Sequence, residues 1–131
     1  MRFLVEIPGA DEGAMLRSAA VLIRLVAAVN YRAARRGALP ALYSTRIRYR
    51  AEPPGPEMID HGGIVLGRGW GDCDDLVAYR LGELWHGGER GASPRIVWRR
   101  GTKRYHAQVR RADGSIEDPC RVMVNREKAG K

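Results

Sequence analysis

Cysteine is scarce in this chain, and its cysteines are not spaced as metal ligands. The 131 residues include two of them, Cys73 and Cys120, which could form one disulfide at most. No Cys-x-x-Cys pair is present, and no Cys and His residues have zinc-finger spacing. The sequence therefore predicts no metal and no cofactor, and it favours a reduced compartment.

Long apolar runs are also missing. The most apolar stretch, Ala19–Val29, is interrupted by Arg24 and is too short to span a bilayer. At the N-terminus the charged residue Glu6 follows only three apolar residues, so the sequence lacks the apolar core of a signal peptide. We therefore expect a cytoplasmic protein without membrane contact, with association with a virion or another assembly as the alternative.

Acidic residues are outnumbered by basic ones. The chain has 15 Asp and Glu against 23 Lys and Arg, nearly all of them Arg, and its net charge is +8. Such an excess favours an anionic partner, meaning nucleic acid, an acidic cell-wall polymer or a negatively charged protein surface. It also keeps a protein soluble, so charge alone does not select a partner, and the oligomeric state stays open.

Length and composition predict one globular domain over residues 1–131. Hydrophobic residues make up 44% and charged residues 29%, as in a packed fold. Helices that precede a run of strands predict an α+β class, with N-terminal helices packed on an antiparallel sheet. The predicted elements are a strand over 2–7, a helix over 11–36 closed by Gly37, a strand over 44–50, loops over 52–56 and 61–71, a helix from 73, strands over 95–100, 103–111 and 115–124, and a frayed tail over 125–131.

The glycine-rich stretch His61–Gly71 leads directly to the helix that begins near residue 73. A phosphate-binding loop is excluded, because the lysine and Ser/Thr of that motif are missing. The carboxylates of Asp72, Asp74 and Asp75 would also repel phosphate. Helix caps and first-turn partners of the helix dipole explain these three acids more simply than metal binding does.

Cys73 lies at the start of this helix, with Asp72 placed to be the N-cap. Unpaired backbone N–H groups and the helix dipole at such a position favour a thiolate, the reactive form of cysteine. Helical spacing puts Cys73 on one face with Leu76, Val77, Arg80 and Leu84, and this face should pack on the sheet. We therefore expect the sulfur to point towards the strands.

His106 lies in a predicted strand and Asp118 lies beyond the next turn. Their contact depends on the register of the hairpin between them. A two-residue turn at Asp113-Gly114 puts the two side chains on opposite faces of the sheet. A three-residue loop over 111–113, or a bulge, puts them directly opposite each other on one face. The sequence leaves both registers open.

Three short motifs in order resemble the core of the transglutaminase-like superfamily. They are Gly-Trp-Gly-Asp-Cys-Asp-Asp-Leu at 69–76, Tyr-His-Ala-Gln-Val at 105–109 and Glu-Asp-Pro at 117–119. In that family a Gly-x-Cys begins a helix, a His-Ala-x-Val strand follows, and Asp-Pro ends a later strand. The likeness covers about residues 61–123. It implies an α+β, papain-like fold with a Cys-His-Asp triad.

The resemblance also implies residue roles. Cys73 is the nucleophile, His106 takes its proton and later gives it to the leaving group, and Asp118 fixes the imidazole tautomer. Papain relatives often have a glutamine six residues before the cysteine. Here Gly67 stands in that place, and the second oxyanion donor is unassigned, with Trp70 or a nearby backbone N–H as the candidates. Trp70 is the candidate substrate-binding residue, with simple packing as the alternative.

Three other residues receive weaker predictions. Cys120 follows Asp118 by two positions, so in a regular strand it lies on the same side, either near the site or as inert core. His61 and His86 neighbour glycines, are predicted in loops and receive no functional role.

The family resemblance implies acyl transfer through a thioester. We expect a thiol hydrolase acting on peptide, isopeptide or peptidoglycan-like amide bonds, because a small open site admits water. The first alternative is a protein cross-linking transglutaminase. The second is a catalytically silent basic module that binds nucleic acid or an assembly partner.

Overall fold

Four helices and seven short strands make up the described part of the chain. The structure, a computed structural model, describes residues 2–5, 12–51, 57–99 and 104–130. In chain order the elements are β1 (Arg2–Val5), α1 (Glu12–Arg35), a 3-10 turn (Leu42–Ser44), β2 (Arg48–Tyr49), β3 (Glu57–Asp60), α2 (Gly62–Arg68), β4 (Trp70–Gly71), α3 (Cys73–His86), β5 (Ser93–Arg99), β6 (Arg104–Arg110), β7 (Ile116–Glu117) and α4 (Pro119–Lys128).

Helices pack on an antiparallel sheet, which confirms the predicted α+β class. The largest sheet has the order β5-β6-β7 and is antiparallel throughout. β1 pairs antiparallel with β3, and β2 pairs parallel with β4. The main core joins α1 and α3 to β6, through fully buried residues that include Ile23, Val77, Leu81, Ala107 and Val109. A second core lies between α3 and α4 and contains Leu76, Tyr79, Cys120 and Met123.

The predicted first helix is confirmed, together with its buried face and its end. The predicted face residues that are almost completely buried are Ala19, Ile23, Val26 and Asn30. Gly37 has φ 72°, a left-handed conformation that suits glycine. Its N–H bonds to the carbonyl of Ala34, and the N–H of Ala38 bonds to the carbonyl of Ala33. These two bonds form a Schellman motif, which ends the helix.

α1 is apolar enough to cross a membrane by length and composition alone. The segment Gly13–Arg35 has a mean hydropathy of 1.4 over its most apolar window. The apolar stretch over 19–29, predicted to be too short for a bilayer, is therefore part of a longer helix that reaches the length of a membrane span. A core helix of a soluble protein passes the same test, and Ile23 and Val26 of α1 are fully buried in the protein. One such helix is weak evidence for a membrane segment.

The predicted loop over 61–71 is wrong, because this stretch contains α2 and β4. His61 begins α2 by accepting a hydrogen bond at Nδ1 from the N–H of Gly63 at 3.0 Å. Gly69 ends the helix in the left-handed conformation, with φ 83°. Side-chain capping at one end and a positive φ at the other allow a short glycine-containing helix here.

The predicted strand over 115–124 is also wrong beyond Glu117. The chain forms β7 for two residues and then enters α4, with Asp118 as N-cap and Pro119 in the first turn. Proline suits that position because its φ is already helical and its missing N–H is not needed there. Cys120 and Met123, three residues apart, form the buried side of the helix. The tail predicted to be frayed after residue 125 is helical as far as Lys128.

The remaining predicted elements agree in part. The strands predicted over 95–100 and 103–111 correspond to β5 and β6. The strand predicted over 44–50 is reduced to Arg48–Tyr49, although the alternation of buried Ile47 with exposed arginines holds. The predicted loop over 52–56, the turn at 101–102 and residues 6–7 of the first predicted strand lie outside the described residues.

α1 and α3 approach each other closely at Gly82. A Cβ atom at Gly82 would lie 2.5 Å from the Cβ of Asn30, 2.8 Å from the backbone nitrogen of Tyr31 and 2.9 Å from the carbonyl oxygen of Ala27. Backbone atoms of a packed helix have little freedom to move aside. Asn30 also accepts a hydrogen bond at Oδ1 from the N–H of Gly62 at 2.6 Å, so this crossing positions α2 as well.

The substitution Gly82→Ala should lower the free energy of unfolding by about 1–3 kcal/mol, because the added methyl overpacks this crossing. Urea denaturation followed by circular dichroism measures the change. Gly67→Ala is the matched control: this helical glycine has no atom within 4 Å of its would-be Cβ. The control should gain up to about 1 kcal/mol from helix propensity. If Gly82→Ala had the same free energy of unfolding as the wild type, the close approach of α1 and α3 at Gly82 would be contradicted.

Candidate active site

Cys73 is the first residue of α3, as predicted, and a capping box fixes this helix start. The side chain of Asp72 accepts a hydrogen bond from the N–H of Asp75 at 3.0 Å. In return, the carboxylate of Asp75 accepts one from the N–H of Asp72 at 3.1 Å. Cys73 is half-buried at the helix tip and packs against both hydrophobic cores.

A buried ion cluster attaches this helix start to the preceding chain. Arg68 donates to Asp60 at 2.5 Å and to Asp75 at 2.8 Å, and both carboxylates are fully buried. Burial raises the pKa of Asp75, and its hydrogen bonds act in the opposite direction. Asp74, also fully buried, accepts from the hydroxyl of Tyr105 at 2.5 Å and so connects the helix start to β6. The predicted structural role of these acids is confirmed.

His106 and Asp118 are in direct contact. The Nε2 atom of His106, in the middle of β6, lies 2.8 Å from Oδ2 of Asp118. The other carboxylate oxygen, Oδ1, caps α4 by accepting a hydrogen bond from the N–H of Arg121 at 3.2 Å. Both side chains are mostly buried, with 13% and 14% of their surface exposed. One carboxylate therefore serves a helix and an imidazole together.

The hairpin register differs from both predicted registers. β6 and β7 pair Val109 with Glu117, which leaves a three-residue loop over 112–114. Continued pairing in this register would set Gln108 opposite Asp118. The chain instead leaves the sheet after Glu117, and the turn into α4 brings the carboxylate to the imidazole. Direct cross-strand pairing was thus the wrong basis for this contact.

Gln108 is a member of the site that the sequence analysis missed. Its Nε2 donates to Oδ2 of Asp118 at 3.2 Å. Its Oε1 accepts from Arg95, the residue paired with it on β5, at 2.5 Å. Gln108 shares a strand face with His106, two residues away. That alternation was the signal available in the sequence.

Hydrogen-bonding groups surround the sulfur of Cys73. Its thiol donates to Oδ1 of Asp74 at 3.7 Å. His106, Cys120 and the backbone N–H of Ala107 also lie close enough to the sulfur to change its pKa. Because Asp118 occupies Nε2 of the imidazole, Nδ1 is the ring nitrogen left for the thiol. Both cysteines are free thiols. Cys120 was predicted to lie either near the site or in the core. It belongs to the second core, against which Cys73 packs, so both descriptions hold.

His106 and Asp118 stabilise each other's charged form. The hydrogen bond to Asp118, followed by that to Cys73, raises the pKa of His106 from 6.5 to about 9. Burial disfavours the charge of Asp118, but hydrogen bonds from His106 and Gln108 outweigh it and lower its pKa to about 2. The raised pKa of His106 stabilises the folded state. This contribution is fully present below pH 6.5 and is lost as the pH rises through 9. The lowered pKa of Asp118 also stabilises the folded state. This contribution is present above pH 3.8 and is lost as the pH falls through 2.

The surroundings of Cys73 raise the pKa of its thiol and so disfavour the thiolate. The hydrogen bond with Cys120 is the largest cause that raises its pKa well above the ordinary value, and burial is the second. Hydrogen bonds from His106 and from the N–H of Ala107 lower the pKa by less. The prediction that the helix start favours a thiolate is therefore wrong for this state. At neutral pH the thiol faces a protonated imidazole.

The other singled-out residues have structural contacts. Trp70 stacks under the guanidinium of Arg68, 3.8 Å from the ring centroid, which supports packing, while its assignment to substrate binding stays a prediction. His61 caps α2 as described above. His86 ends α3 and contacts the ring of Tyr31 edge-on. Gly67 lies exposed on α2.

An open groove of about 580 Å³ lies between the β6-β7 hairpin and the outer face of α4. Its lining includes the basic residues Arg111 and Arg121 together with the exposed apolar residues Ile116 and Val122. The lining reaches the candidate site through Asp118 and Gln108. The groove therefore approaches the site from the side of the carboxylate.

Comparison with known proteins gives no match: no protein-family model, no curated protein and no solved structure is significantly similar to this chain.

Asp118→Asn should lower the pKa of His106 from about 9 towards its ordinary value of 6.5, because it removes the carboxylate charge and keeps a good N-cap for α4. NMR titration of the imidazole signals measures this shift. Asp113→Asn, which changes an exposed carboxylate on the hairpin loop, is the charge-matched control. An imidazole that titrates near 6.5 in the wild type would contradict the contact.

Cys120→Ala should lower the pKa of Cys73, since it removes the largest cause of the elevation. Alkylation of Cys73 by iodoacetamide should then begin at lower pH than in the wild type. Mass spectrometry of the digested protein assigns the labelled cysteine. Cys120→Ser retains a hydrogen-bonding group and should resemble the wild type. Identical pH profiles for Cys120→Ala and wild type would show that the second thiol does not control the first.

Proposed function

We propose that this protein is a cysteine-dependent acyl-transfer enzyme with a papain-like, transglutaminase-like core. Its activity is that of a thiol hydrolase acting on peptide, isopeptide or peptidoglycan-like amide bonds. The observation that carries the proposal is the series Cys73, His106 and Asp118: the imidazole lies 2.8 Å from the carboxylate and close enough to the sulfur to lower the pKa of the thiol. The three family-like motifs contribute one residue each to this series, which supports the resemblance.

The chemistry requires an imidazole that is neutral when the sulfur attacks. Neutral His106 accepts the thiol proton at Nδ1 while Sγ of Cys73 adds to the amide carbonyl. Asp118 stabilises the imidazolium that forms and fixes the ring tautomer. The imidazolium then returns the proton to the leaving amine, the carbon–nitrogen bond breaks, and a thioester remains. Water, deprotonated by the same imidazole, releases the acid.

One oxyanion donor follows from helix geometry. The first N–H groups of a helix have no intrahelical carbonyl partner, so the N–H of Cys73 is available beside its own sulfur. The position of Gly67 offers no second donor, since glycine has no side chain. We assign hydrolysis rather than cross-linking because the open groove reaches the site at Gln108 and Asp118 and gives water a path to it. Two free thiols suit a reducing cytoplasm.

Acetylation by p-nitrophenyl acetate tests the proposal without knowledge of the natural substrate. Cys73 should gain one acetyl group, and its rate should rise with pH through about 9, because His106 must lose its proton first. His106→Ala should slow this step by roughly 10²–10⁴-fold. Intact-mass spectrometry with peptide mapping follows the reaction, and Cys120→Ala is the control that should still be labelled at Cys73.

Loss of the acetyl group then distinguishes the two enzyme classes. A hydrolase releases acetate at a rate that an added primary amine does not change, whereas a cross-linking transferase yields the acetylated amine. Acetylation at Cys73 that is equally fast in His106→Ala would contradict a working triad and would favour the catalytically silent module.

A further inference from the structure

The net charge of the chain is confined to one segment. Residues 13–51 contain eight of the 23 basic residues and none of the 15 acidic ones. The other residues therefore hold fifteen basic and fifteen acidic side chains and are neutral as a set. An excess needed only for solubility would not have to be confined in this way.

α1 presents much of this charge on one exposed face, which we call the arginine face. It consists of Arg17, Arg24, Arg32 and Arg35, all exposed to solvent. At about 100° per residue these four positions fall within a sector of roughly 80° around the helix axis. The opposite side of α1 is buried against α3 and the sheet, so the arginine face points away from the core.

The arginine face has no acidic partner within the described ranges of the chain. Some arginines elsewhere are paired, among them Arg68 with two buried carboxylates and Arg111 with Glu89 and Glu117. Arg35 of this face lies over an aromatic ring, with its guanidinium 5.9 Å from the ring centroid of Tyr31. Aligned guanidinium groups without counter-charges are an unused binding surface for anions.

We propose that the arginine face binds the phosphate backbone of double-stranded nucleic acid. Along the helix axis Arg17 and Arg24 are about 10 Å apart, and Arg24 and Arg32 about 12 Å apart. A major groove is about 12 Å wide, so successive arginines reach phosphates on opposite sides of it. Guanidinium groups bind phosphate in a bidentate manner, which suits arginine better than lysine.

An anionic membrane fits the same face less well. Membrane-surface helices insert a broad apolar side between lipid headgroups. On α1 that side is used for the protein core, and the large apolar residues left exposed are Val21, at 57%, and Leu25, at 49%. Two separate side chains provide little area for insertion.

Fluorescence anisotropy with a short labelled DNA duplex at several salt concentrations tests the proposal. Four phosphate contacts predict that log K falls with log salt at a slope of about −3.5. The variant R17Q/R24Q/R32Q should reduce the slope to about −1. The control R46Q/R110Q/R121Q removes the same charge from exposed positions outside α1 and should keep most of the slope.

Three outcomes would overturn the proposal. They are no binding of duplex by the wild type, equal loss in the control variant, or binding of phosphatidylserine vesicles without binding of DNA. Circular dichroism verifies the fold of each variant; if the triple variant is not folded, the single variant R24Q should lower the magnitude of the slope by about one. The variant Cys73→Ala should bind DNA as the wild type does, so this test does not depend on the proposed catalysis.

Discussion

The carboxylate of Asp118 joins the proposed chemistry to the fold. One oxygen caps α4 and the other holds His106, so the position of the helix determines where the imidazole is held. α4 is itself anchored, because Arg126 donates to two backbone carbonyls in the segment before β2. Glu117, the residue before Asp118, accepts a hydrogen bond from the side chain of Arg80, on α3, at 2.6 Å. Since α3 also carries the nucleophile, both ends of the triad depend on one helix.

The sequence predicted helices and strands well where the signal was local. α1 has a regular apolar spacing and a glycine at its end, and both features act through neighbouring residues. The strand over 115–124 is predicted because Asp113-Gly114 is a strong hairpin signal, which calls for a second strand after the turn. Pro119 in the first turn and the burial of Cys120 and Met123 favour the helix instead. Burial is a tertiary effect, which the local sequence does not show. Similarly, the glycines of 61–71 suggested a loop, although a capped helix forms there.

The chemical groups of the site were predictable, but their arrangement was not. Cys73 could be placed at a helix start because its N-cap, Asp72, is adjacent in sequence. The contact between His106 and Asp118 depends on where β7 ends, which no local pattern specifies. Gln108 was missed because its role depends on partners across the sheet. The raised pKa of Cys73 is not predictable from its helix start either, because the hydrogen bond with Cys120 and burial are both tertiary effects.

The central claim is that Asp118 acts on the sulfur of Cys73 only through the imidazole. A double-mutant cycle on the rate of Cys73 alkylation tests this claim most directly, with wild type, His106→Ala, Asp118→Asn and the double variant compared at one pH. The account predicts that Asp118→Asn changes the rate in the wild-type background and has no further effect once His106 is absent. Effects that multiply in the double variant would show two independent residues and would contradict the triad.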